Sequence, residues 1–591
     1  MNVSDYLLNR LVSLGTKEAF LITGSAIAWF VDSFYKRKDI KYICVAHEQT
    51  GAMAAEAYSR IGPGIGVAIG TSGPGATNLI TGICCAWFDS IPVLYITGQV
   101  NRKELKGESK VRQVGFQETD IVSIVKSITK FAVRIDNPDD TRYLFEKAIY
   151  LAKSGRPGPV LIDLPMDIQR EEINPKNQKS FVPAQQKPFK DTGVKLSAKV
   201  EKSLRLIEKA KRPIILIGGG IRIAHVEKEV KRLIEVLGFP VVKTWGAFDI
   251  LPSDYSLLIG TPGVYGNRGA NFAVQNADLL ITLGSRLDTR LTGGKPATFA
   301  REAKKIVVDI DKAELDKRRG LTPDLAINSD LKEFLGVMLK HLGKLKKPEV
   351  SNWLKKCQVW KKKYPIVLPE YFKEKKDVNA YAFIKTLSEE LDSRAVIIPD
   401  EGGNLTWTIQ AFKLKEGQRL FSALGNSPMG YSFPAAIGAS FALGKKEIIC
   451  IDGDGGFQIN IQDLETVVHH KLPIKIFIIN NRGYGIIQQF QETWCAGRYA
   501  ASTEDSGYSV PDFVKIAKAY GLETVSIKNH REMRRKIREV LRYKGPVLCD
   551  VRINKKQRLI PKLEFGRPLE EISPLLDRKE FIKEMIIKPL E

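Results

Sequence analysis

The sequence predicts an α/β protein made of three doubly wound units, each a parallel sheet with helices on both faces. Three observations carry this. Short apolar runs alternate with segments of helical periodicity along most of the 591 residues. In each third of the chain an apolar run feeds a glycine-rich turn: Gly66–Ile69 into Gly70-Thr71-Ser72-Gly73, Ile214–Ile217 into Gly218-Gly219-Gly220, and Glu447–Ile451 into a turn containing Gly453-Asp454-Gly455-Gly456. Two stretches of weak periodicity separate the thirds. One is a polar linker at about 172–195 with Pro175, Pro183 and Pro188, the other a Lys-rich stretch at about 342–376. The expected units are therefore 1–175, 196–340 and 377–555, with a tail at 556–591.

Bulk properties exclude several classes. Hydrophobic content of 43% and charged content of 27% suit a globular chain rather than a disordered one. No apolar run is long enough to span a bilayer, and the chain starts with a helical pattern (Val3, Tyr6, Leu7, Leu11), so neither a membrane partner nor a signal peptide is expected. The seven cysteines have no C-x-x-C spacing and fall mostly in apolar runs, as reduced core residues of a cytoplasmic protein would. The net charge of +24 is spread over the whole chain without a nucleic-acid-binding motif. It reads as a solvated Lys-rich surface that also attracts anionic substrates, and no nucleic-acid partner is expected.

In the first unit, strands are expected at Ala19–Ile22, Tyr42–Ala46, Gly66–Ile69, Val93–Thr97 and Val160–Leu164. Two turns stand out. Val45-Ala46-His47-Glu48-Gln49 ends a strand on a carboxylate and enters a helix, where Glu48 would favour the macrodipole. Gly70 to Asn78 is a Gly/Pro/Ser loop that alone marks only a tight turn.

The second unit contains the Gly218-Gly219-Gly220 turn, a buried strand expected from Leu279 to Arg290 that ends in charge at Arg286, Asp288 and Arg290, and a strand from Ile306 to Asp311 that carries Asp309. A carboxylate at a strand end can hold a ribose hydroxyl, so this looks like a dinucleotide site. Trp353 and Trp360 lie on an expected connecting helix.

The third unit is read as strand, turn, helix, strand, turn from Cys450 to Gln489. Asp454 and Asn481 then fall at the carboxyl ends of neighbouring parallel strands, where open α/β sheets bind ligands. One carboxylate, one amide oxygen and a nearby backbone carbonyl are hard ligands suited to Mg²⁺, which leaves positions for water and phosphate. A helix expected to start near Phe457 would aim its N–H groups at a diphosphate.

These motifs, in this order, resemble the thiamine diphosphate (ThDP) enzymes of the acetolactate synthase type. The resemblance covers about residues 1–555 and also rests on Asp89-Ser90-Ile91-Pro92, Phe116-Gln117-Glu118, Gly155-Arg156-Pro157-Gly158-Pro159 and Gly425-Asn426-Ser427-Pro428-Met429. It implies three units: pyrimidine-binding, central, and diphosphate-binding. Glu48 takes the place of the glutamate that hydrogen-bonds the cofactor pyrimidine and promotes loss of the thiazolium proton. Gln117 and Lys130 match substrate-side positions. Gly24, Gly73, Gly403, Asn404, Ser427, Met429, Gly455, Gly456 and Ile486 fall on the ThDP site, and Asp454, Asn481 and the Gly483 carbonyl on the Mg²⁺ site. In the central unit Gly218, Gly219, Gly220, Thr244, Arg286, Asp288, Arg290, Asp309 and Asp330 match an FAD segment.

The resemblance further implies a homodimer or homotetramer with sites at the subunit interface, pyruvate as substrate, and a regulatory small subunit as an open question. There are departures. Thr289 stands where the family usually has Asp, Gly263-Val264-Tyr265-Gly266 replaces Gly-Met-His-Gly, Asn404-Leu405 replaces Gln-His, and Phe490 replaces a tryptophan of the acceptor pocket. The turn at Phe116-Gln117 lacks the His-His pair that simple 2-oxo acid decarboxylases of this superfamily use for protonation, which favours carboligation. The alternatives are transfer of a two-carbon unit to a nucleotide-activated keto sugar, a 2-oxo acid decarboxylase, and a non-catalytic nucleotide-binding protein.

Overall fold

Each expected apolar run becomes a strand, most of them buried although β2 is largely exposed, and the strands assemble into three six-stranded sheets. The computed structural model describes residues 1–35, 37–183, 191–317 and 320–590, so Pro188 of the linker lies outside the described residues. The first sheet holds β1 (Glu18–Leu21), β2 (Lys41–Cys44), β3 (Gly66–Gly70), β4 (Val93–Gln99), β5 (Phe131–Arg134) and β6 (Val160–Pro165), in the order 2-1-3-4-6-5. The second holds β7 (Pro213–Ile217), β8 (Val241–Lys243), β9 (Leu258–Gly260), β10 (Leu279–Leu283), β11 (Lys304–Asp309) and β12 (Leu325–Asn328), in the order 12-11-10-7-8-9. The third holds β13 (Val396–Pro399), β14 (Arg419–Leu420), β15 (Ile448–Gly453), β16 (Ile474–Asn480), β17 (Glu523–Ile527) and β18 (Val547–Arg552), in the order 14-13-15-16-18-17.

All pairings between these strands are parallel. The first and third sheets have the same strand order, a kinship that sequence repetition does not reveal. The second winds 3-2-1-4-5-6, the order of dinucleotide-binding folds. Apart from the strand expected from Leu279 to Arg290, the expected strands lie within about two residues of the observed ones. β5, β8, β9, β12, β13, β14, β17 and β18 were not expected; β5 is half-buried along its length and lacks an apolar signature.

The winding of the chain reverses between β1 and β3, between β7 and β10, and between β13 and β15. These switch points leave a crevice at the carboxyl edge of each sheet. The three glycine-rich turns all fall there.

The first and third units share a core. The helix Glu48–Ile61 packs on the helix Ser432–Ala442, and both bury small residues. Gly438 lies so close that a Cβ there would come within 2.0 Å of the Ala54 carbonyl oxygen. Pro434 sits in the first turn of its helix, where its missing N–H costs nothing. Cys85, Cys357, Cys450 and Cys549 are buried as expected, but Cys44 is exposed. Among the described residues, no helix is long and apolar enough to cross a membrane.

The tail is built into the second unit. Leu563, Leu569, Ile572 and Phe581 join its core together with Trp353 and Trp360 of the helix Ser351–Lys363. Glu570 is buried and pairs with Arg301 at 2.7 Å. Glu584 accepts from Lys356 at 2.7 Å, Lys363 at 2.7 Å and the Trp360 indole N–H at 2.8 Å. Burial pushes its carboxyl up, but these donors win and hold it at about 2, against an ordinary 4.5. Its folded value is thus depressed. The stabilisation is fully present above about pH 4.5 and is lost as pH falls towards about 2. Glu584→Gln is expected to lower the melting temperature by several degrees at pH 7, with the difference from wild type shrinking below about pH 4.5. Thermal melts across pH test this; a difference independent of pH would refute it.

Candidate functional site

A cavity of about 1050 Å³ lies at the switch point of the third sheet. β13 ends at Pro399 and the chain turns through Asp400-Glu401-Gly402 into the helix Gly403–Ala411. Gly402 adopts φ +91, a conformation that an L side chain resists. β15 ends at Gly453 and enters a single helical turn, Asp454–Phe457. The sequence reading expected a helix from Phe457; the chain instead starts helical geometry at Asp454, and the longer helix waits until Leu464. Two helix starts therefore meet at the cavity, since Gly402, Gly403, Asn404, Gly455 and Gly456 all line it. Backbone N–H groups left free at helix starts favour an anion.

The glycines fit this crowding. A Cβ on Gly455 would lie 2.5 Å from the Tyr484 ring and 3.0 Å from Met429 Cε, and one on Gly456 would lie 2.2 Å from Asp400 Oδ2. Asp400 accepts the Gly430 N–H at 3.0 Å and the Ser432 N–H at 3.1 Å, which anchors the loop bearing Ser427 and Met429. Burial pushes Asp400 and its neighbour Asp452 upward.

Asp454 and Asn481 line the same cavity with Gly483, so the structure brings the expected metal set together. The Asp454 carboxylate accepts from the Tyr508 hydroxyl at 2.6 Å and the Arg482 N–H at 2.5 Å. Burial pushes it up to about 6, against the pull of these donors. Asn481 is buried, and its side chain makes no hydrogen bond among those of the described residues. Its amide oxygen is thus free for a cation. Among the described residues no group of three or more His, Cys, Asp or Glu suits a metal. A cation here would depend on the mixed oxygen set and on phosphate oxygens, which matches Mg²⁺. Tyr508, whose ring packs tilted against that of Tyr484 with centroids 4.3 Å apart, was not foreseen. A tyrosine in a loop gives no local sign of a carboxylate partner.

Ile486, Phe490, Trp494 and the tail residues Ile560, Lys562 and Phe565 form the far wall of the cavity. Arg290 also lines it and lies over the rings of Trp245 and Tyr265, at 5.9 and 5.5 Å. Glu401, another unforeseen lining residue, is pushed up by burial.

A second cluster lies at the carboxyl edge of the first sheet. Glu48 begins its helix, is 8% exposed, and accepts from Asn78 Nδ2 at 2.9 Å. Gly24 and Gly75 both crowd Thr71, and the site of a Cβ on Gly75 lies 3.4 Å from Glu48 Oε1. Gly73 (φ +60) abuts Gln117, which holds φ +62 despite its side chain. Such backbone strain concentrates at functional sites. Lys130 sits apart: its ammonium donates to the Ser154 carbonyl, and burial pulls it down to about 8. Neither Glu48, Gln117 nor Lys130 lines the large cavity of its own chain; among the described residues, those that do all come from the second and third units and the tail.

The central-unit candidates divide. Gly218 and Gly220 are required by close backbone approach to Gly284, since a Cβ on Gly218 would meet the Gly284 oxygen at 2.2 Å. Gly219 faces Gly246, and Thr244 donates its N–H to Ile217 beside the same turn. Arg286 and Asp309 line a small pocket with Lys317, and burial pushes Asp309 up to about 6. Asp288 and Asp330 instead cap helices, accepting the N–H groups of Arg290 and Lys332 at 2.9 and 2.7 Å. The expected strand from Leu279 to Arg290 stops at Leu283.

Comparison with known proteins gives three consecutive family matches. Residues 1–124 match a description as the thiamine pyrophosphate enzyme N-terminal TPP binding domain, 200–338 the central domain, and 400–551 the C-terminal TPP binding domain. The chain is 37% identical over 576 residues to an acetolactate synthase large subunit of Cyanidium caldarium, covering 95% of this chain and 94% of that one. It is 35% identical over 581 residues to a probable acetolactate synthase large subunit of Methanocaldococcus jannaschii, covering 97% and 96%. It is 33% identical over 583 residues to the chloroplastic acetolactate synthase 1 of Zea mays, covering 96% and 88%.

Proposed function

This chain belongs to the thiamine pyrophosphate enzymes, among relatives of the acetolactate synthase large subunits, and we propose that it decarboxylates pyruvate and passes the two-carbon unit to a second carbonyl compound. The observation that carries this reading is the meeting of Asp454, Asn481, Gly455 and Gly456 with Met429 and Ser427 around one cavity. Asp454, Asn481 and the Gly483 carbonyl would hold Mg²⁺. Gly403, Asn404, Gly455 and Gly456 would receive the diphosphate, and Met429 and Ile486 would pack against the rings. ThDP supplies a thiazolium able to stabilise an acyl carbanion.

The chain's own residues orient that cofactor and exclude water. Glu48 would hold a proton at the pyrimidine edge, and Gln117 and Lys130 would face the substrate. Glu48 lines no part of its own chain's cavity, which supports a second copy bringing it there. The working form is then a homodimer or homotetramer. The names of the relatives as large subunits support asking whether a small regulatory partner exists. In the central unit, Arg286 and Asp309 at the switch point support an FAD site, although the capping roles of Asp288 and Asp330 argue for fewer contacts than the family pattern implies.

A larger acceptor is the second reading. Phe490 stands where the relatives' pocket usually has tryptophan, and the cavity runs on to Trp494 and Phe565. Pyruvate with ThDP and Mg²⁺ should yield acetolactate. No product from pyruvate alone, with turnover restored by a keto sugar, would select the second reading. The purified protein is also expected to show a flavin band near the blue end of the visible spectrum; a colourless protein that takes up no FAD would remove the flavin.

A further inference from the structure

The loop 424–429 presents Ser427 and Met429 to the cavity, yet its shape is set largely by the first unit of the same chain. Asp89 accepts the Leu424 N–H at 2.9 Å and the Gly425 N–H at 2.7 Å. Arg60 Nη2 holds the same carboxylate at 2.8 Å. The Arg60 Nε bonds Glu56 at 3.1 Å, and the guanidinium lies 5.4 Å from the centre of the Phe421 ring. Glu56 is fully buried and also accepts the Tyr431 hydroxyl at 2.5 Å, just beyond the loop. Asn426 reaches the Thr81 carbonyl at 3.4 Å and Cys85 Sγ at 3.7 Å. Gly425 rests against the helix Ile80–Asp89 so tightly that a Cβ would fall 2.5 Å from Phe88 Cβ.

Ser427 adopts φ +60 without being glycine. A residue held in that region persists only when its surroundings over-determine it. Asp89 fixes the chain before Ser427, and Asp400 fixes it after. Both N–H groups at Asp89 are charge-assisted bonds, the stronger kind. None of Glu56, Arg60 and Asp89 lines the cavity.

We propose that Asp89 and Arg60 are positioning residues that fix the 424–429 loop for the cofactor, so that the first unit of a chain sets the ThDP affinity of its own third unit while its Glu48 serves another copy. This rests on the cofactor reading given above.

The test titrates ThDP into the full-length protein at saturating Mg²⁺, following tryptophan fluorescence and pyruvate turnover for wild type and Asp89→Asn. Asparagine keeps the shape but can no longer accept from both N–H groups while bonding Arg60. The ThDP concentration for half-saturation is expected to rise about tenfold or more. Turnover at saturating ThDP is expected to stay within about threefold of wild type, with KM for pyruvate unchanged, because a positioning residue acts on cofactor binding. An unchanged ThDP affinity in a folded variant would overturn the inference, as would a loss confined to turnover at saturation. If Asp89→Asn does not fold, Arg60→Lys, which keeps the charge but not the bridging fork, is held to the same criteria. Wild-type protein that takes up no ThDP would overturn the cofactor reading and this inference together. Wild-type uptake with an indifferent variant overturns this inference alone.

Discussion

Glu48→Gln is expected to lower turnover by about a hundredfold to ten-thousandfold, the range for removing a positioned acid–base group, while leaving ThDP binding largely intact. The side chain is 8% exposed and tethered by Asn78 at 2.9 Å, so glutamine fits the same space and only the exchangeable proton is lost. The proposed cofactor contacts that give affinity lie elsewhere, at Gly403, Gly455, Gly456 and the Mg²⁺ set. Steady-state turnover beside a ThDP binding titration separates the two effects. Near-normal turnover would remove Glu48 from the chemistry, and a parallel loss of binding would show that it serves the fold instead.

Asp454→Asn is expected to weaken Mg²⁺ binding by about a hundredfold or more, since it removes the one formal charge of the proposed metal set. Mg²⁺-dependent retention of ThDP on gel filtration should go with it. The native residue also predicts a pH dependence. Its carboxyl is pushed up to about 6 from 3.8. Between those values the folded metal-free protein binds more protons than the unfolded chain, so this group's contribution to stability falls as pH rises through that window. Mg²⁺ binds the ionised form, so its half-saturation concentration should climb about tenfold per pH unit below about 6 and level off above it. For the same reason thermal stabilisation by Mg²⁺ should be larger at pH 8 than at pH 5. A Mg²⁺ affinity flat from pH 5 to 8 would refute the raised titration of Asp454, and an unchanged Mg²⁺ affinity in Asp454→Asn would exclude it as the ligand.

What the sequence revealed was the local part of the site. Gly-Asp-Gly-Gly after an apolar run, and Asn-Asn after the next, are read from neighbours in the chain, and parallel topology then brings the two turns together. The triple glycine at 218–220 was visible too, but its immediate cause is close contact with Gly284 across the sheet, which no spacing shows. Tyr508, the docking of the tail through Glu570 and Glu584, and the Asp89 clamp were not legible. Each joins residues far apart in the chain, and a carboxylate among polar neighbours looks the same whether solvated or buried against a distant N–H. Asp89 had been noted as part of a motif, without a partner to explain it.

The near-touching backbones at Ala54 and Gly438 have a last consequence. The helix holding Ala54 begins with Glu48, and the helix holding Gly438 begins where the 424–431 loop ends. That close approach therefore works as a spacer gauge between the two edges. One methyl group added at Gly438 would enlarge the gauge and shift both edges at once, so a mutation touching neither coenzyme nor substrate would register as an error in alignment.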